Sequence, residues 1–246
     1  YDEFIRHGIT KMSQYHFTST EEYKKRVIQL GEDPSTVFNL GALGAENCLS
    51  IDENNVGDEV RLLPEKKCFK VLFHPETLNT QSPLLQVKEL LNAIVKFLPL
   101  YEFCFIGSNA DTKSDVIREA VQDFCRTHKH THYYENLHPD AYHYLVKKSI
   151  ALIGNSSSGI IEVPSLNSIT VNIGDRQTGR VKGNSIIDVT CSMNEIVAGI
   201  EQAISEFEKV IENPYLKENS AKLYYETTIA ILSKIESKNY KRFYDL

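Results

Sequence analysis

From Cys68 onward, short apolar runs alternate with longer segments whose apolar residues recur at helical spacing. Such runs are typical of buried strands, and the helical repeat is typical of helices that pack on a sheet. The predicted strands are Phe69–Phe73, Tyr101–Ile106, His130–Glu135, Ser149–Ile153, Ser168–Ile173 and Ser185–Val189. The predicted helices are Ser82–Leu98, Ser114–His128, Pro139–Lys148, a helix from Ser157, and Met193–Phe207. Strands that alternate with helices predict an α/β protein with a parallel sheet covered on both faces.

The first part of the chain has a different character. Tyr1–Ser13 and Glu21–Leu30 predict helices, and Thr36–Leu40 predicts a strand. We therefore expect residues 1–42 to be the end of a preceding α/β domain. Because the chain opens without Met and in the middle of a helical pattern, we interpret it as a fragment that lacks its N-terminal part.

The main predicted domain is 43–214, and we interpret the polar, acidic stretch Gly41–Lys67 as the crossing to it from the first domain. The last predicted helix, Asn219–Ser237, has an apolar stripe but no strand after it. A helix that has no sheet of its own to cover must bury its apolar face elsewhere. We therefore expect 215–246 to pack back toward the first domain.

Composition and charge exclude several classes of protein. The chain has 246 residues, a formal net charge of −6 and five cysteines. The basic residues form no stripe, which argues against nucleic acid and an anionic membrane surface as partners. The cysteines form no Cys-x-x-Cys pair, so neither a disulfide scaffold nor a thiolate zinc site is expected. No apolar run reaches the ~20 residues of a membrane span, and a cytoplasmic location fits best.

The segment after the strand Ser149–Ile153 is the most informative. Gly154 and Asn155 lead into three consecutive serines and Gly159, and a helix is predicted to follow. Backbone N–H groups at a helix N-terminus and serine hydroxyls can bind an anion, so Ser156, Ser157 and the Gly159 turn are candidates for a phosphate site. The alternative is that Ser156 only caps the helix while its neighbours face solvent. The spacing is neither that of a P-loop nor that of a hydrolase nucleophile elbow.

Charged residues near this turn could complete a nucleotide site. Glu162 lies one helical turn further on, where a carboxylate could accept hydrogen bonds from two ribose hydroxyls. It could equally be a first-turn glutamate that only favours the helix dipole. Arg176 and Arg180 follow the strand Ser168–Ile173 and could clamp phosphate or pair with acidic side chains such as Glu162.

Two more candidates follow predicted strands at the same sheet edge. His74 stands before Pro75 at the end of Phe69–Phe73, in a loop where it should add little core packing. Asn109 follows Tyr101–Ile106, although Asn in a turn usually bonds its own backbone. The alternating His128, His130 and His132 could suggest a metal site, but no carboxylate or thiolate nearby completes a ligand set, so we expect none.

Several segments resemble one enzyme family. They are Ile5–Ser13, Arg26–Glu32, Asn39–Gly44 and Gly154–Arg180, with the motifs Gly-Asn-Ser-Ser-Ser-Gly and Gly-Asp-Arg-Gln-x-Gly-Arg. Together they resemble the hydrolysing UDP-N-acetylglucosamine 2-epimerases that feed sialic-acid and related nonulosonate synthesis. The resemblance implies a GT-B-type α/β fold of two Rossmann-like domains, the first of which would be largely missing here.

The resemblance also implies roles for individual residues. His74 would lie near the diphosphate, and Asp2 and Arg6 would line the sugar pocket as further catalytic residues. The residues implied to bind UDP are Asn109, Leu137, Ser156, Ser157, Gly159, Glu162 and Arg176. A UDP-sugar would be the substrate, no cofactor would be needed, and the full-length enzyme would be a homo-oligomer.

Other functions remain open at this point. A GT-B glycosyltransferase with a UDP-sugar donor would share the diphosphate turn and the ribose carboxylate but would leave C2 of the sugar unchanged. A non-catalytic nucleotide-binding remnant would bind UDP only. The substrate of a hydrolysing 2-epimerase could also be a UDP-2,4-diacetamido-trideoxy sugar. We expect the 246-residue chain by itself to be inactive.

Overall fold

The structure, a computed structural model, describes residues 2–65, 67–76, 81–107, 114–234 and 240–245, without the side chains of Asp2, Glu3 and Ser114. The chain forms two compact units. The first unit comprises 1–47 and 214–246, and the second comprises 48–213.

The first unit is mostly helical, with a short two-stranded parallel sheet. Its helices are α1 (Asp2–Met12), α2 (Glu21–Gln29), α3 (Leu43–Asn47) and α10 (Ser220–Leu232), and its strands are β1 (His16–Thr18) and β2 (Val37–Asn39). The side chain of Thr20 caps α2 by accepting a hydrogen bond from the backbone N–H of Tyr23 at 3.1 Å. An N-cap of this kind supplies a partner for a helix N–H group that otherwise has none.

The second unit is a six-stranded parallel sheet with helices on both faces. Its strands are β3 (Cys68–Leu72), β4 (Glu102–Ile106), β5 (Thr131–Tyr134), β6 (Ala151–Gly154), β7 (Ile169–Ile173) and β8 (Ile186–Val189). Its helices are α4 (Asp58–Arg61), α5 (Pro83–Val95), α6 (Ser114–Thr127), α7 (Pro139–Lys148), α8 (Ser158–Ile161) and α9 (Met193–Glu206). The order across the sheet is β5-β4-β3-β6-β7-β8, which is the order of a Rossmann fold.

Both faces of this sheet are buried, as the near-continuous apolar strands require. On β3, Phe69 and Val71 belong to the main core beneath α5, α6 and α9. Leu72 points to the opposite face and packs with Val146 of α7 in a smaller cluster. The side chains of β3 therefore alternate between two apolar layers.

Local features moved several predicted boundaries. His130 has a φ of 64°, a left-handed conformation that excludes it from β5, which begins at Thr131. The helix predicted from Ser157 is only the single turn of α8, followed by a 3₁₀ turn over Val163–Leu166. Pro164 explains this ending, because proline lacks an N–H and its ring clashes with the carbonyl one turn earlier.

Three elements were missed in the sequence. The strand β1, of only three residues, was too short to show a pattern. The stretch interpreted as a polar crossing contains the short helices α3 and α4. The final predicted helix is described as far as α10, because residues 235–239 lie outside the described part of the chain.

Candidate functional site

The strand order places a ligand crevice between β3 and β6. From β3 the chain proceeds to β4 on one side, whereas β6 is followed by β7 on the other side. In open parallel sheets, ligands bind outside the carboxyl ends of the two strands where the direction changes. His74 follows β3 and Asn155 follows β6, so both stand at this switch point.

His74 and Asn155 are joined by a reciprocal pair of hydrogen bonds. The His74 N–H donates to Oδ1 of Asn155 at 2.8 Å, and Nδ2 of Asn155 donates to the His74 carbonyl at 2.9 Å. Asn155 is 0% exposed and His74 is 4% exposed. The sequence-based expectation that His74 adds little packing is therefore wrong, because its strand end is covered by the neighbouring loops.

The loop after β7 joins the same network. The side chains of Arg176 and Gln177 both donate to the carbonyl of Asn155, at 3.2 Å and 2.8 Å. Oε1 of Glu76 accepts the backbone N–H groups of Asp175 and Arg176 at 3.0 Å and 3.3 Å. The guanidinium of Arg176 is thus directed to the serine turn.

Hydroxyl groups are linked along the serine turn. Ser156 Oγ lies 3.0 Å from Ser158 Oγ, and the Ser158 N–H points to Ser156 Oγ at 3.4 Å. Ser158 also hydrogen-bonds the hydroxyl of Tyr142 on α7. Ser156 therefore accepts a hydrogen bond from the first residue of α8, as expected if it caps the helix. Ser157 is half-buried. Since α8 has only four residues, hydroxyl and backbone donors matter more here than a helix dipole.

Two glycines shape the turn for different reasons. Gly154 has a φ of 146°, and a Cβ there would lie 1.9 Å from the carbonyl oxygen of Leu72. A Cβ on Gly159 would meet side-chain atoms of Leu152 at 2.7 Å and Thr170 at 2.8 Å. Gly159 therefore allows close packing of α8 on the sheet, and the close approach it permits is to protein atoms.

Glu162 lies at the end of α8 and not in its first turn, so the helix-dipole interpretation was wrong. Its Oε2 pairs with Nε2 of His143 at 3.1 Å, which is a different partner from the arginines considered in the sequence. A carboxylate oxygen can accept more than one hydrogen bond. The pairing therefore orients Glu162 and leaves acceptor capacity for a ligand.

Of the other predicted site residues, the structure describes the side chains of Leu137 and Arg6. Leu137 packs partly against a small cluster that includes Leu145. Asn109 lies outside the described residues, as does the side chain of Asp2. Arg6 is exposed on α1 in the first unit.

Two histidines at the start of β5, His130 just before the strand and His132 within it, have a partner that the sequence did not reveal. The carboxylate of Glu102 on β4 lies 2.8 Å from Nδ1 of His130 through Oε1 and 2.9 Å from Nε2 of His132 through Oε2. Burial raises the pKa of Glu102, but the two histidines outweigh this effect, and the net pKa lies below its ordinary value. A carboxylate therefore does lie beside two of the three histidines. Even so, no group of three or more His, Cys, Asp or Glu within the described ranges could hold a metal ion.

The thiols do not provide a nucleophile at this site. None of the five cysteines forms a disulfide bond. Burial raises the pKa of Cys48 and of Cys125 to about 11, and Cys191 to about 12. The thiol form therefore dominates at neutral pH.

An open cavity of about 510 Å³ lies further along the same sheet edge, beside the ends of β7 and β8. Three carboxylates line it, those of Asp175, Asp188 and Glu195, together with Lys182. Lys182 is already engaged by both oxygens of Asp188, at 2.7 Å and 2.8 Å. An anionic ligand is therefore better suited to the serine turn than to this cavity.

Sequence reasoning missed two side chains of the site, Asn155 and Tyr142, and a buried lysine, Lys70, whose amine lies over the ring of Tyr142. Asn155 was read only as part of the turn, and Tyr142 only as part of a helix. Lys70 interrupts the apolar strand β3, and this interruption was the available signal. No helix in the described residues is both long and apolar enough to cross a membrane.

Comparison with known proteins identifies relatives along the whole chain. Residues 1–228 match the family described as UDP-N-acetylglucosamine 2-epimerase. The chain is 54% identical over its full length to the polysialic acid biosynthesis protein P7 of Escherichia coli, of which it covers 64%. It is 38% identical over 76% of its length to the GDP/UDP-N,N'-diacetylbacillosamine 2-epimerase (hydrolyzing) of Campylobacter jejuni, of which it covers 50%.

A solved structure has the same fold. The UDP-GlcNAc 2-epimerase from Neisseria meningitidis bound to UDP-GlcNAc aligns with a TM-score of 0.71 and 20% identity, over 90% of this chain and 62% of that one. This likeness confirms the predicted α/β fold of the GT-B type. The chain spans 64% or less of the length of each of these three proteins. With residues 1–228 matched and the sheet order of a Rossmann fold, the chain belongs to the UDP-N-acetylglucosamine 2-epimerase family.

Proposed function

We propose that the native protein is a hydrolysing UDP-N-acetylglucosamine 2-epimerase, which converts UDP-N-acetylglucosamine and water to N-acetylmannosamine and UDP. The observation that carries this proposal is the junction of His74 with the serine turn through Asn155 at the switch point. The identity to a polysialic acid biosynthesis protein supports a product that feeds sialic-acid synthesis. The identity to an epimerase whose name includes the word hydrolyzing supports the release of a free sugar.

The serine turn would bind the diphosphate of the substrate. The hydroxyls of Ser156 and Ser157 donate hydrogen bonds to phosphate oxygens, and the guanidinium of Arg176 adds a positive charge beside them. Gly159 contributes indirectly, by allowing the turn to pack closely on the sheet. Positioned donors of this type also stabilise the charge that grows on the diphosphate as it leaves.

The nucleoside would extend from the turn toward α7. Glu162, oriented by His143, accepts hydrogen bonds from the ribose hydroxyls. Leu137 lies in the loop that follows β5 and would flank the uridine or its phosphates. Asn109, which comes after β4 in the sequence, is proposed for the same role.

The chemistry is an elimination followed by a hydration. A base removes the proton at C2 while the bond between C1 and the UDP oxygen breaks, which yields a glycal and UDP. Water then adds its oxygen at C1, and a proton is returned to C2 on the opposite face. His74 would act near the diphosphate and the C1 oxygen, and Asp2 and Arg6 would act on the sugar. Such proton transfers require groups held in position.

A second candidate is a hydrolysing 2-epimerase of a UDP-2,4-diacetamido-trideoxy sugar. The observation that favours it is the 38% identity to the diacetylbacillosamine epimerase. Both substrates carry the same UDP group, so the serine turn would serve either one. Competition between the two UDP-sugars in one reaction discriminates between them by the ratio of released free sugars.

The test is incubation of the native full-length protein with UDP-N-acetylglucosamine in deuterated water, followed by NMR. We expect equal amounts of N-acetylmannosamine and UDP, with deuterium at C2 of the sugar. The matched control is His74→Gln, which should release neither product. Sugar transferred or released without deuterium at C2 would instead indicate a glycosyltransferase, and binding without conversion would indicate a non-catalytic protein.

A further inference from the structure

Lys70 is a fully buried lysine in the central strand β3. Its exposed fraction is 0%, and its strand neighbours Phe69 and Val71 are core residues. In the register of the sheet it pairs with Cys104 of β4 and Leu152 of β6. An apolar residue would pack here without desolvating an amine, so the lysine costs stability unless its charge is used.

The amine of Lys70 lies directly behind the serine turn. Nζ is positioned over the face of the Tyr142 ring and makes no hydrogen bond among the described residues. The hydroxyl of Tyr142 bonds Ser158, whose own hydroxyl is 3.0 Å from that of Ser156. One aromatic ring therefore separates the amine from the turn.

The ammonium form of Lys70 is destabilised by burial and has one carboxylate, that of Glu162, acting in its favour. Burial lowers the pKa of Lys70 well below its ordinary value, and the carboxylate of Glu162 acts in the opposite direction. Glu162 also pairs with Nε2 of His143 at 3.1 Å. An anion bound at the serine turn would act in the same direction as Glu162, because opposite charges favour each other's ionised forms.

We propose that Lys70 determines the affinity of this site for the diphosphate: its ammonium, behind the Tyr142 ring, is the charge that a bound UDP compensates. This role rests on the proposed binding of UDP at the serine turn. It is a positioning and electrostatic role, since the amine is separated from the ligand by Tyr142. Because Lys70 is 0% exposed, solvent screens its attraction to the diphosphate only weakly.

The Tyr142 hydroxyl couples the charge of Lys70 to the hydrogen bonds of the serine turn. A cation over the ring face is attracted to the π-electrons and polarises the hydroxyl as a donor. Tyr142 then donates to Ser158, and Ser158 can donate to Ser156. The hydroxyl of Ser156 is thereby left to donate to a phosphate oxygen.

The experiment compares the affinities of UDP and uridine for variants of the native full-length protein, by calorimetry and NMR titration. Lys70→Met, of similar length and without charge, should weaken UDP binding by about tenfold, while the affinity for uridine stays within about twofold. Lys88→Met on the exposed side of α5 is the matched control and should change neither affinity. If Lys70→Met does not yield folded protein, Lys70→Gln takes its place with the same expectation.

Unchanged UDP binding in Lys70→Met would overturn the role of Lys70, as would an equal loss of UDP and uridine binding. Ser157→Ala, measured alongside, separates this failure from a failure of the proposed site. If Ser157→Ala weakens UDP while Lys70→Met does not, the site stands and the lysine has no part in it. If neither variant weakens UDP, the site itself is misplaced.

Discussion

Asn155 binds the backbone of His74 through both ends of its carboxamide, although the two residues are 81 positions apart. The contact joins the loops at the ends of β3 and β6. Through the carbonyl of Asn155, which accepts from Gln177 at 2.8 Å, it also reaches the loop after β7. The candidate catalytic histidine and the candidate phosphate turn are therefore parts of one buried hydrogen-bond network.

Asn155→Ala should both destabilise the second unit and reduce turnover. The substitution leaves the buried N–H and carbonyl of His74 without their Asn155 partners, which should cost about 2–3 kcal/mol. Urea unfolding and turnover of the native full-length protein provide the measurements. Asn155→Asp, which retains the acceptor but not the donor, should give intermediate values. Native turnover in Asn155→Ala would show that this contact does not position His74.

His74→Gln should lower kcat by about a hundredfold or more while the affinity for UDP changes little, as expected for the loss of a group that acts on the reacting atoms. Glutamine fills more of the buried space than alanine, so the melting temperature should remain close to native. Because the His74 side chain is only 4% exposed, His74→Ala should additionally lower the melting temperature. Retention of kcat in His74→Gln would remove His74 from the chemistry.

Ser157→Ala and Glu162→Ala should each weaken UDP binding, by about 1–2 kcal/mol for the serine hydroxyl. The loss for Ser157 should appear with UDP but not with uridine, whereas the loss for Glu162 should appear with both. Calorimetric titration measures these affinities. Ser165→Ala, at a serine beyond the turn, is the control. Unchanged affinity in both site variants would place UDP elsewhere.

Glu32 should stabilise the first unit in a pH-dependent way. It is 2% exposed and binds Lys11 and Lys241, each at 2.7 Å, and His16 at 3.0 Å. Burial raises the pKa of Glu32, but hydrogen bonds from Lys11 and Lys241 and their charges outweigh it, so the pKa is below its ordinary value. The folded carboxylate thus binds its proton less tightly than the unfolded one does.

The stabilisation by Glu32 is therefore fully present above the unfolded pKa and is lost as the pH falls through the folded pKa. Glu32→Gln should cost about 3 kcal/mol at pH 7, and the difference from native should shrink below about pH 4. Urea unfolding across this pH range measures it. Glu226→Gln, in an exposed pair with Lys222, is the control and should have little effect. A difference that persists undiminished at low pH would contradict the charge-based explanation.

The 246-residue chain by itself should bind UDP but release no N-acetylmannosamine from UDP-N-acetylglucosamine. It spans 64% of the Escherichia coli relative, and of the groups proposed to act on the sugar from the first domain it contains Asp2 and Arg6. A chromatographic assay for the free sugar, with the full-length protein as the positive control, decides this. Turnover equal to that of the full-length protein would mean that all the catalytic groups lie within the chain.

The sequence by itself was sufficient to predict the six strands and the longer helices of the second unit, because their apolar periodicity is a local property, but it did not predict the short α4. It also predicted a ligand site after a strand that ends in Gly154, since the serines and glycines of that turn stand together in the chain. The early end of α8 was not predicted, although Pro164, which explains it, is a local feature of the sequence. Local chemistry could not reveal how the turn is held.

Only the tertiary structure decided which side chains meet. The pairing of β3 with β6 brings Asn155 to His74, and the pairing of β4 with β5 brings Glu102 to two histidines. Strand order depends on helix packing over the whole sheet, so no pattern along the chain encodes these contacts. Burial behaves in the same way: Lys70 and His74 are ordinary polar residues in the sequence, and they became buried because strands and loops distant in the chain cover them.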